Sequence, residues 1–311
     1  MSLKILITGG SGMVGRNLLE HKRLSQHELF APSSHELNLL DPAQTHDYVA
    51  DLVPDLVIHA AGRVGGIQAN IREPVRFLLD NLNMGQNIVA ASVAAGVGRL
   101  LNLGSSCMYP RGIDDPLTEG QILTGELEPT NEGYALAKIV TAKLCEYLAR
   151  QDPGPDYKTL IPCNLYGRFD HFDAKRSHLV PAVIRKLHEA KVRGDTVVEV
   201  WGDGTARREF MYAGDLADAV CHVAERYQEA PPVMNIGVGD DHSVDEYYRV
   251  VADVVGYTGG FRHDASRPAG MARKLVDTAR QRALGWAPSV TLREGIEEAY
   301  AFFLENEVRD G

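Results

Sequence analysis

Tyr134 and Lys138 stand one helical turn apart, with Ser105 upstream and Gly9-Gly10-Ser11-Gly12-Met13-Val14-Gly15 near the start of the chain. Residues at i and i+4 share one face of a helix, so a phenol and an ammonium can act together there. A neighbouring cation favours phenolate and lowers the pKa of a phenol. The spacing therefore predicts Tyr134 as the proton donor in hydride transfer to a carbonyl, with Lys138 activating it. Ser105 is expected to hydrogen-bond the same carbonyl and turn it toward Tyr134. An ordinary amphipathic helix can carry the same Tyr/Lys pair, so its surroundings decide.

Those surroundings alternate strands with helices. An apolar strand over 4–8 runs into the glycine loop and then a helix over 13–21. That is where a pyrophosphate binds: Gly9 makes the tight turn, Gly12 lets backbone approach the ligand, and the helix N-terminus favours an anion. A second strand, 29–31, ends in Pro32-Ser33-Ser34-His35. A carboxylate at this tip selects NAD and a cation accommodates NADP. Neither stands in those four residues, and the hydroxyls of Ser33 and Ser34 can take a phosphate, which favours NADP(H) over NAD(H). A third strand, 55–59, leads to Ala60 and Ala61. A helix follows over 74–95, a strand over 99–104 that delivers Ser105, the Tyr134/Lys138 helix over 132–151, and a strand over 159–164. Alternation of this kind predicts an α/β fold with a Rossmann-type doubly wound parallel sheet over 1–165. From 166 to 311 loops lengthen, predicting a smaller α/β substrate lobe with segments returning to the first domain.

Composition narrows the class. The chain has 311 residues, 44% hydrophobic and 24% charged, with a net charge of -10. That balance argues against nucleic acid or an anionic membrane surface as a partner. No apolar run is long enough to span a bilayer. The sequence enters its first strand at once, predicting no signal peptide. Cys107, Cys145, Cys163 and Cys221 are widely spaced with no CxxC pair, so no disulfide framework or metal site is expected and the cytoplasm fits.

The glycine loop, Ser105 four residues before Tyr109, and Tyr134/Lys138 resemble the extended short-chain dehydrogenase/reductase family. Gly104-Ser105-Ser106-Cys107-Met108-Tyr109-Pro110, Leu127-Glu128-Pro129-Thr130-Asn131-Glu132, Pro162-Cys163-Asn164-Leu165-Tyr166-Gly167, Ser177-His178-Leu179-Val180-Pro181 and Trp201–Phe210 narrow it to the GDP-L-fucose synthases, the GDP-4-keto-6-deoxy-D-mannose epimerase/reductases. The resemblance spans the first strand to the last helix. It implies inversion at carbons 3 and 5 beside the ketone, then NADPH reduction at carbon 4.

Inversion needs a base on one face and an acid on the other. The resemblance assigns these to Cys107 and His178; a cation beside a thiol favours thiolate, and histidine can donate near neutrality. Without the resemblance, both read as packing residues. It extends the cofactor site to Met13, Val14, Gly15, Ala60, Ala61, Tyr134, Lys138, Pro162, Asn164, Leu165 and His178. It gives Lys186 and Arg208, with Arg185 as a neighbouring candidate, to the nucleotide-sugar, Ser106 and Asn164 to the sugar end, and Lys274 to the neighbourhood of the nucleoside. Trp201 either packs beside the base or fills the second lobe. The resemblance also implies a homodimer through the helices 74–95 and 132–151. Arg168-Phe169-Asp170-His171-Phe172 departs from the family's Pro-His-Asp-Asn-Phe in a segment that faces substrate by analogy, and Ala269-Gly270 from its Asp-Gly. Other readings are a reductase of another GDP-4-keto sugar (a deoxyheptose or colitose precursor), a dehydratase or pure epimerase, and a non-catalytic dinucleotide sensor.

Overall fold

The computed structural model describes residues 2–151, 154–173, 177–266 and 272–306; Ala269-Gly270 lies outside them. In chain order the first half runs β1 (Lys4–Thr8), α1 (Met13–Leu19), β2 (Glu28–Phe30), α2 (Pro42–Leu52), β3 (Leu56–His59), α3 (Ile67–Arg72), α4 (Pro74–Ala94), β4 (Arg99–Leu103), α5 (Glu132–Ala149), β5 (Asp156–Pro162) and β6 (Asn164–Tyr166). The second half runs α6 (Leu179–Arg193), β7 (Val197–Trp201), β8 (Arg207–Arg208), β9 (Phe210–Tyr212), α7 (Ala213–Glu225), β10 (Val233–Ile236), β11 (His242–Ser243), α8 (Val244–Val255), β12 (Gly260–Asp264), β13 (Arg273–Lys274), α9 (Ala279–Ala283) and α10 (Leu292–Asn306).

Six strands form one parallel sheet in the order β10-β5-β4-β3-β1-β2. Its central strands carry Ile5-Leu6-Ile7, Leu56-Val57-Ile58 and Leu100-Leu101, all buried. Continuous apolar runs are what a sheet covered on both faces requires. β10 comes from far down the sequence to pair with β5 in register Val233↔Thr159. The α/β architecture matches the expectation. The predicted strand 159–164 is in fact two: β5 stops at Pro162, and Asn164–Tyr166 pairs with β9 in a separate ribbon.

A second apolar cluster forms among α6, α8 and α10, around Ile184, Leu187, Val251, Ile296 and Phe303. Beside it β11, β8 and β13 make a three-stranded sheet, and β12 pairs with β7. Arg168–Phe172 packs between α1 and α10. The Arg168 carbonyl accepts from Asn17 Nδ2, Arg168 pairs with Glu20, and the Phe169 ring lies edge-on to Phe302. Among the described residues, no helix is long and apolar enough to cross a membrane.

Candidate active site

Strands of an open parallel sheet present their ligands at the carboxyl edge, and the candidate residues gather there. β1 ends in the glycine loop. Gly9 adopts φ +76°, a conformation that favours glycine, and Gly12 N–H donates to its carbonyl at 3.0 Å. Gly12 caps α1 with no side chain of its own in the way. A Cβ on Gly15 would stand 2.1 Å from the Gly9 carbonyl oxygen, so the helix can approach the strand only as glycine. Met13 and Val14 open α1, leaving its first N–H groups toward the loop. Ala61 closes β3 against Gly9, where a Cβ would meet its backbone at 2.7 Å. This cradle fits a dinucleotide's pyrophosphate.

At the β2 tip the side chain of Glu36 folds back to accept the Ser33 N–H at 2.8 Å. Hydrogen bonds from the Ser33 backbone and hydroxyl hold the Glu36 carboxyl below its ordinary range. A carboxylate therefore does stand at the tip, on the residue immediately after Pro32-Ser33-Ser34-His35. Turn formation, and not strand alternation, brings it there.

β4 delivers Ser105, whose hydroxyl accepts the Cys107 N–H at 3.4 Å and caps the short turn Ser106–Met108. That turn buries Ser106 and Cys107. Across from it α5 presents Tyr134 and Lys138. Burial raises the pKa of the Tyr134 phenol, the Cys107 charge adds to it, and the Ser105 hydroxyl opposes it. Lys138 Nζ lies 5.9 Å from the Tyr134 ring centroid and donates to the Leu103 carbonyl at 2.9 Å. The expected depression of the phenol by Lys138 is not met: desolvation wins, and the ammonium is anchored to the strand end. Burial lowers the Lys138 pKa to about 8.

Sequence reasoning missed what lies beneath Lys138. Thr8, His59, Asn102 and Thr159 stand in register across four strands. Thr8 Oγ1 and His59 Nδ1 are 2.8 Å apart, and Asn102 Nδ2 donates to Thr159 at 3.2 Å. Burial, then the Lys138 charge, drives the His59 pKa down to about 3, so it is neutral. A polar residue at the same level of four neighbouring strands is the signal, visible only once the strands are aligned.

Cys107 and His178 share a cation, Lys274. Burial raises the Cys107 thiol, opposed first by Lys274 and then by Ser105 and Lys138. Burial lowers the His178 imidazole, with Lys274 adding to it. His178 is the N-cap of α6, its carbonyl accepting from the Ala182 N–H at 3.1 Å while its side chain makes no cap bond. The expected adjacent cation is thus present but does not offset desolvation. Lys274 had been expected toward the nucleoside; its electrostatic neighbours are Cys107, Arg208, Cys163 and Glu128.

The remaining candidates divide. Asn164 begins β6 just past Pro162, donating to the Glu209 carbonyl at 2.9 Å, and Leu165 follows it in register with Met211. Arg208 Nη1 donates to the Arg207 carbonyl at 2.7 Å, and its backbone pairs in register with Lys274. Lys186 Nζ donates across to the Glu199 carbonyl of β7 at 2.5 Å, and Arg185 pairs with Glu189 along α6. Trp201, at 54% exposure, does not fill the core of the second lobe. Glu209, fully buried, went unnoticed in the sequence. Its carboxylate accepts from the N–H groups of Val238, Gly239 and Val276, tying β9, β10 and β13 together.

A glycine cradle at the end of β1 and a Ser-Tyr-Lys set at the ends of β4 and α5 define a pyridine-nucleotide enzyme of Rossmann type. Residues 5–237 match the NAD dependent epimerase/dehydratase family, and the chain belongs to that family. Over 99% of its length it is 50% identical to a GDP-L-colitose synthase of Yersinia pseudotuberculosis, covering all of that protein. It is 51% identical to a GDP-L-fucose synthase of Azorhizobium caulinodans over 98% of both chains. Among solved structures, a GDP-L-fucose synthetase of Naegleria fowleri bound to NADP superposes with a TM-score of 0.87 at 27% identity, over 98% of this chain and 93% of that one.

Proposed function

We propose that this protein is a GDP-L-fucose synthase, which epimerises GDP-4-keto-6-deoxy-D-mannose at carbons 3 and 5 and reduces carbon 4. One observation carries the reading: Ser105, Tyr134 and Lys138 converge with Cys107, His178 and Lys274 at one sheet edge. The nicotinamide cofactor supplies the hydride when bound. Ser105 and Tyr134 hold the carbonyl oxygen. A buried, fully protonated phenol is the form that can donate, and Lys138 stabilises the phenolate it leaves. Before reduction, Cys107 as thiolate takes a proton from carbon beside the ketone, and His178 as imidazolium returns one from the opposite face. Lys274 stabilises the thiolate. Ser106 and Asn164 line the sugar end, and Arg208 and Lys186 face the diphosphate; the register of Lys274 with Arg208 supports moving Lys274 from the nucleoside to the same diphosphate.

NADP(H) is the proposed cofactor. The Ser34 hydroxyl and the similarity to a structure bound to NADP support it, whereas the Glu36 carboxylate, folded back onto Ser33, is a feature of the tip that favours NAD(H). The proposed form is a homodimer through α4 and α5, whose faces expose Leu79, Val93, Val140 and Tyr147. Four free, buried cysteines support a reducing compartment such as the cytoplasm.

The near-equal identity to a GDP-L-colitose synthase supports a second reading, reduction of a different GDP-4-keto sugar. One reaction separates the two: purified protein, GDP-4-keto-6-deoxy-D-mannose and NADPH, with NADPH loss followed by absorbance and the product sugar identified by NMR. GDP-L-fucose supports the first reading. Oxidation with carbons 3 and 5 uninverted removes the epimerase role, and no oxidation with NADPH or NADH removes this substrate.

A further inference from the structure

In a strand successive side chains point to opposite faces. β8 and β13 are each a basic pair, Arg207-Arg208 and Arg273-Lys274, parallel and in register Arg273↔Arg207 and Lys274↔Arg208. One face therefore carries Arg207 beside Arg273, the other Arg208 beside Lys274. Like charges placed opposite each other on neighbouring strands repel. Four cations on two short strands need anions on both faces.

On the Arg207/Arg273 face the anion is Asp241, only 2% exposed. Its two carboxylate oxygens are divided between the strands: Oδ1 accepts from Arg207 Nε, and Oδ2 accepts from Arg273 Nε at 2.5 Å. Its carbonyl accepts a further bond from Arg207 Nη2. Asp241 immediately precedes β11, which pairs antiparallel with β8 in register His242↔Arg208. One carboxylate thus fastens all three strands of the small sheet in the order β11-β8-β13. The ends of the clamp are secured as well: Glu246 lies 3.5 Å from Arg207 Nη1, and Arg273 Nη1 donates to the Asp114 carbonyl at 3.2 Å. On the opposite face Glu128 is a carboxylate acting on both Arg208 and Lys274.

We propose that Asp241 is a positioning residue for substrate: by clamping Arg207 to Arg273 behind the sheet, it holds Arg208 and Lys274 side by side in front as a preformed two-cation seat for a nucleoside diphosphate. The proposal rests on the assignment of Arg208 and Lys274 to the diphosphate. It also says why the two strands are so short: two residues each suffice to carry one clamped cation and one binding cation.

The probe is GDP, titrated calorimetrically into the full-length protein, with NADPH binding and steady-state kinetics measured alongside. Asp241→Asn is expected to weaken GDP by about tenfold, equivalent to about 1.4 kcal/mol, and to raise KM for the sugar nucleotide by a similar factor. NADPH affinity stays within about twofold, and Asp241→Glu recovers part of the loss. Removing a negative charge would by itself tighten binding of an anion, so weakening separates positioning from simple charge. Should Asp241→Asn fail to fold, Arg207→Gln removes one arm of the clamp and is expected to weaken GDP by a smaller factor. Unchanged or tighter GDP binding in the folded variant overturns the proposal. Arg208→Ala distinguishes the failures: if it weakens GDP while Asp241→Asn does not, only the clamp is wrong, and if it too leaves GDP unchanged, the diphosphate assignment falls with it.

Discussion

Lys138 donates its ammonium to the Leu103 carbonyl at 2.9 Å, which ties the middle of α5 to the end of β4 two residues before Ser105. The same bond fixes the cation beside the phenol without pairing it to the phenol. Catalysis by Lys138 is then a matter of stabilising the phenolate that remains after Tyr134 gives up its proton. Lys138→Met should lower kcat for NADPH oxidation by roughly 10²-fold or more, the usual worth of a positioned proton-transfer group. Tyr134→Phe should do the same while NADPH affinity, measured by fluorescence titration, is retained. Normal turnover in Tyr134→Phe would remove the proposed proton donor.

The two epimerase groups have opposed requirements. Cys107 must be ionised although burial raises its pKa, and His178 must be protonated although burial and Lys274 lower its pKa. The reactive pair is therefore a minor protonation state, present at constant fraction between the two pKa values. Lys274 lowers both, stabilising a thiolate and repelling an imidazolium. Lys274→Met should shift both limbs of the pH profile upward. The readout is deuterium incorporation from solvent at carbons 3 and 5, which follows epimerisation without reduction. An unmoved profile would separate Lys274 from both groups.

Much of this site was legible in the sequence because its signals are local. The glycine loop, the Tyr134/Lys138 spacing and the strand ends that deliver Ser105 and Ala60-Ala61 depend on neighbours in the chain. What escaped depends on partners distant in sequence. Glu209 is surrounded by backbone N–H groups from Val238 to Val276, and His59 gains meaning only beside Thr8 and Asn102. The electrostatic outcome at Tyr134 and Cys107 was illegible for a related reason. Spacing brings a cation near, but burial decides the sign of the net shift.

Buried carboxyls should leave a mark on stability. Desolvation raises Asp170 from 3.8 to about 7 and Glu209 from 4.5 to about 7. The folded protein then binds more protons than the unfolded chain between about pH 4 and 7, so stability falls as pH rises through that window. Each group contributes at most about 1.4 kcal/mol per pH unit. Among the described residues Asp170 Oδ2 has no hydrogen-bond partner, so the uncharged Asp170→Asn keeps the His171 N–H bond and loses the titration. Thermal melts from pH 5 to pH 8 should show a shallower decline for the variant. Equal slopes would mean that Asp170 titrates normally.

The outer faces of α4 and α5 give the last expectation. The two helices pack closely on each other, and Val93, Val140, Leu144 and Leu148 line an apolar groove between them. Val140 is 48% exposed and Tyr147 is 57% exposed, neither inside a core cluster. A second copy laid across this groove would bury such side chains at about 25 cal/mol per Å² of apolar surface, whereas a charge there would have to be desolvated without a partner. Val140→Glu should therefore give a monomer by analytical ultracentrifugation at concentrations where the parent is dimeric, with the melting temperature of the monomer little changed. Val140 points away from the Lys138 face of α5, where Tyr134 and Ser105 meet, so NADPH binding should persist in the variant. A parent protein that sediments as a monomer, or a Val140→Glu protein that remains a dimer, would place the interface elsewhere or remove it.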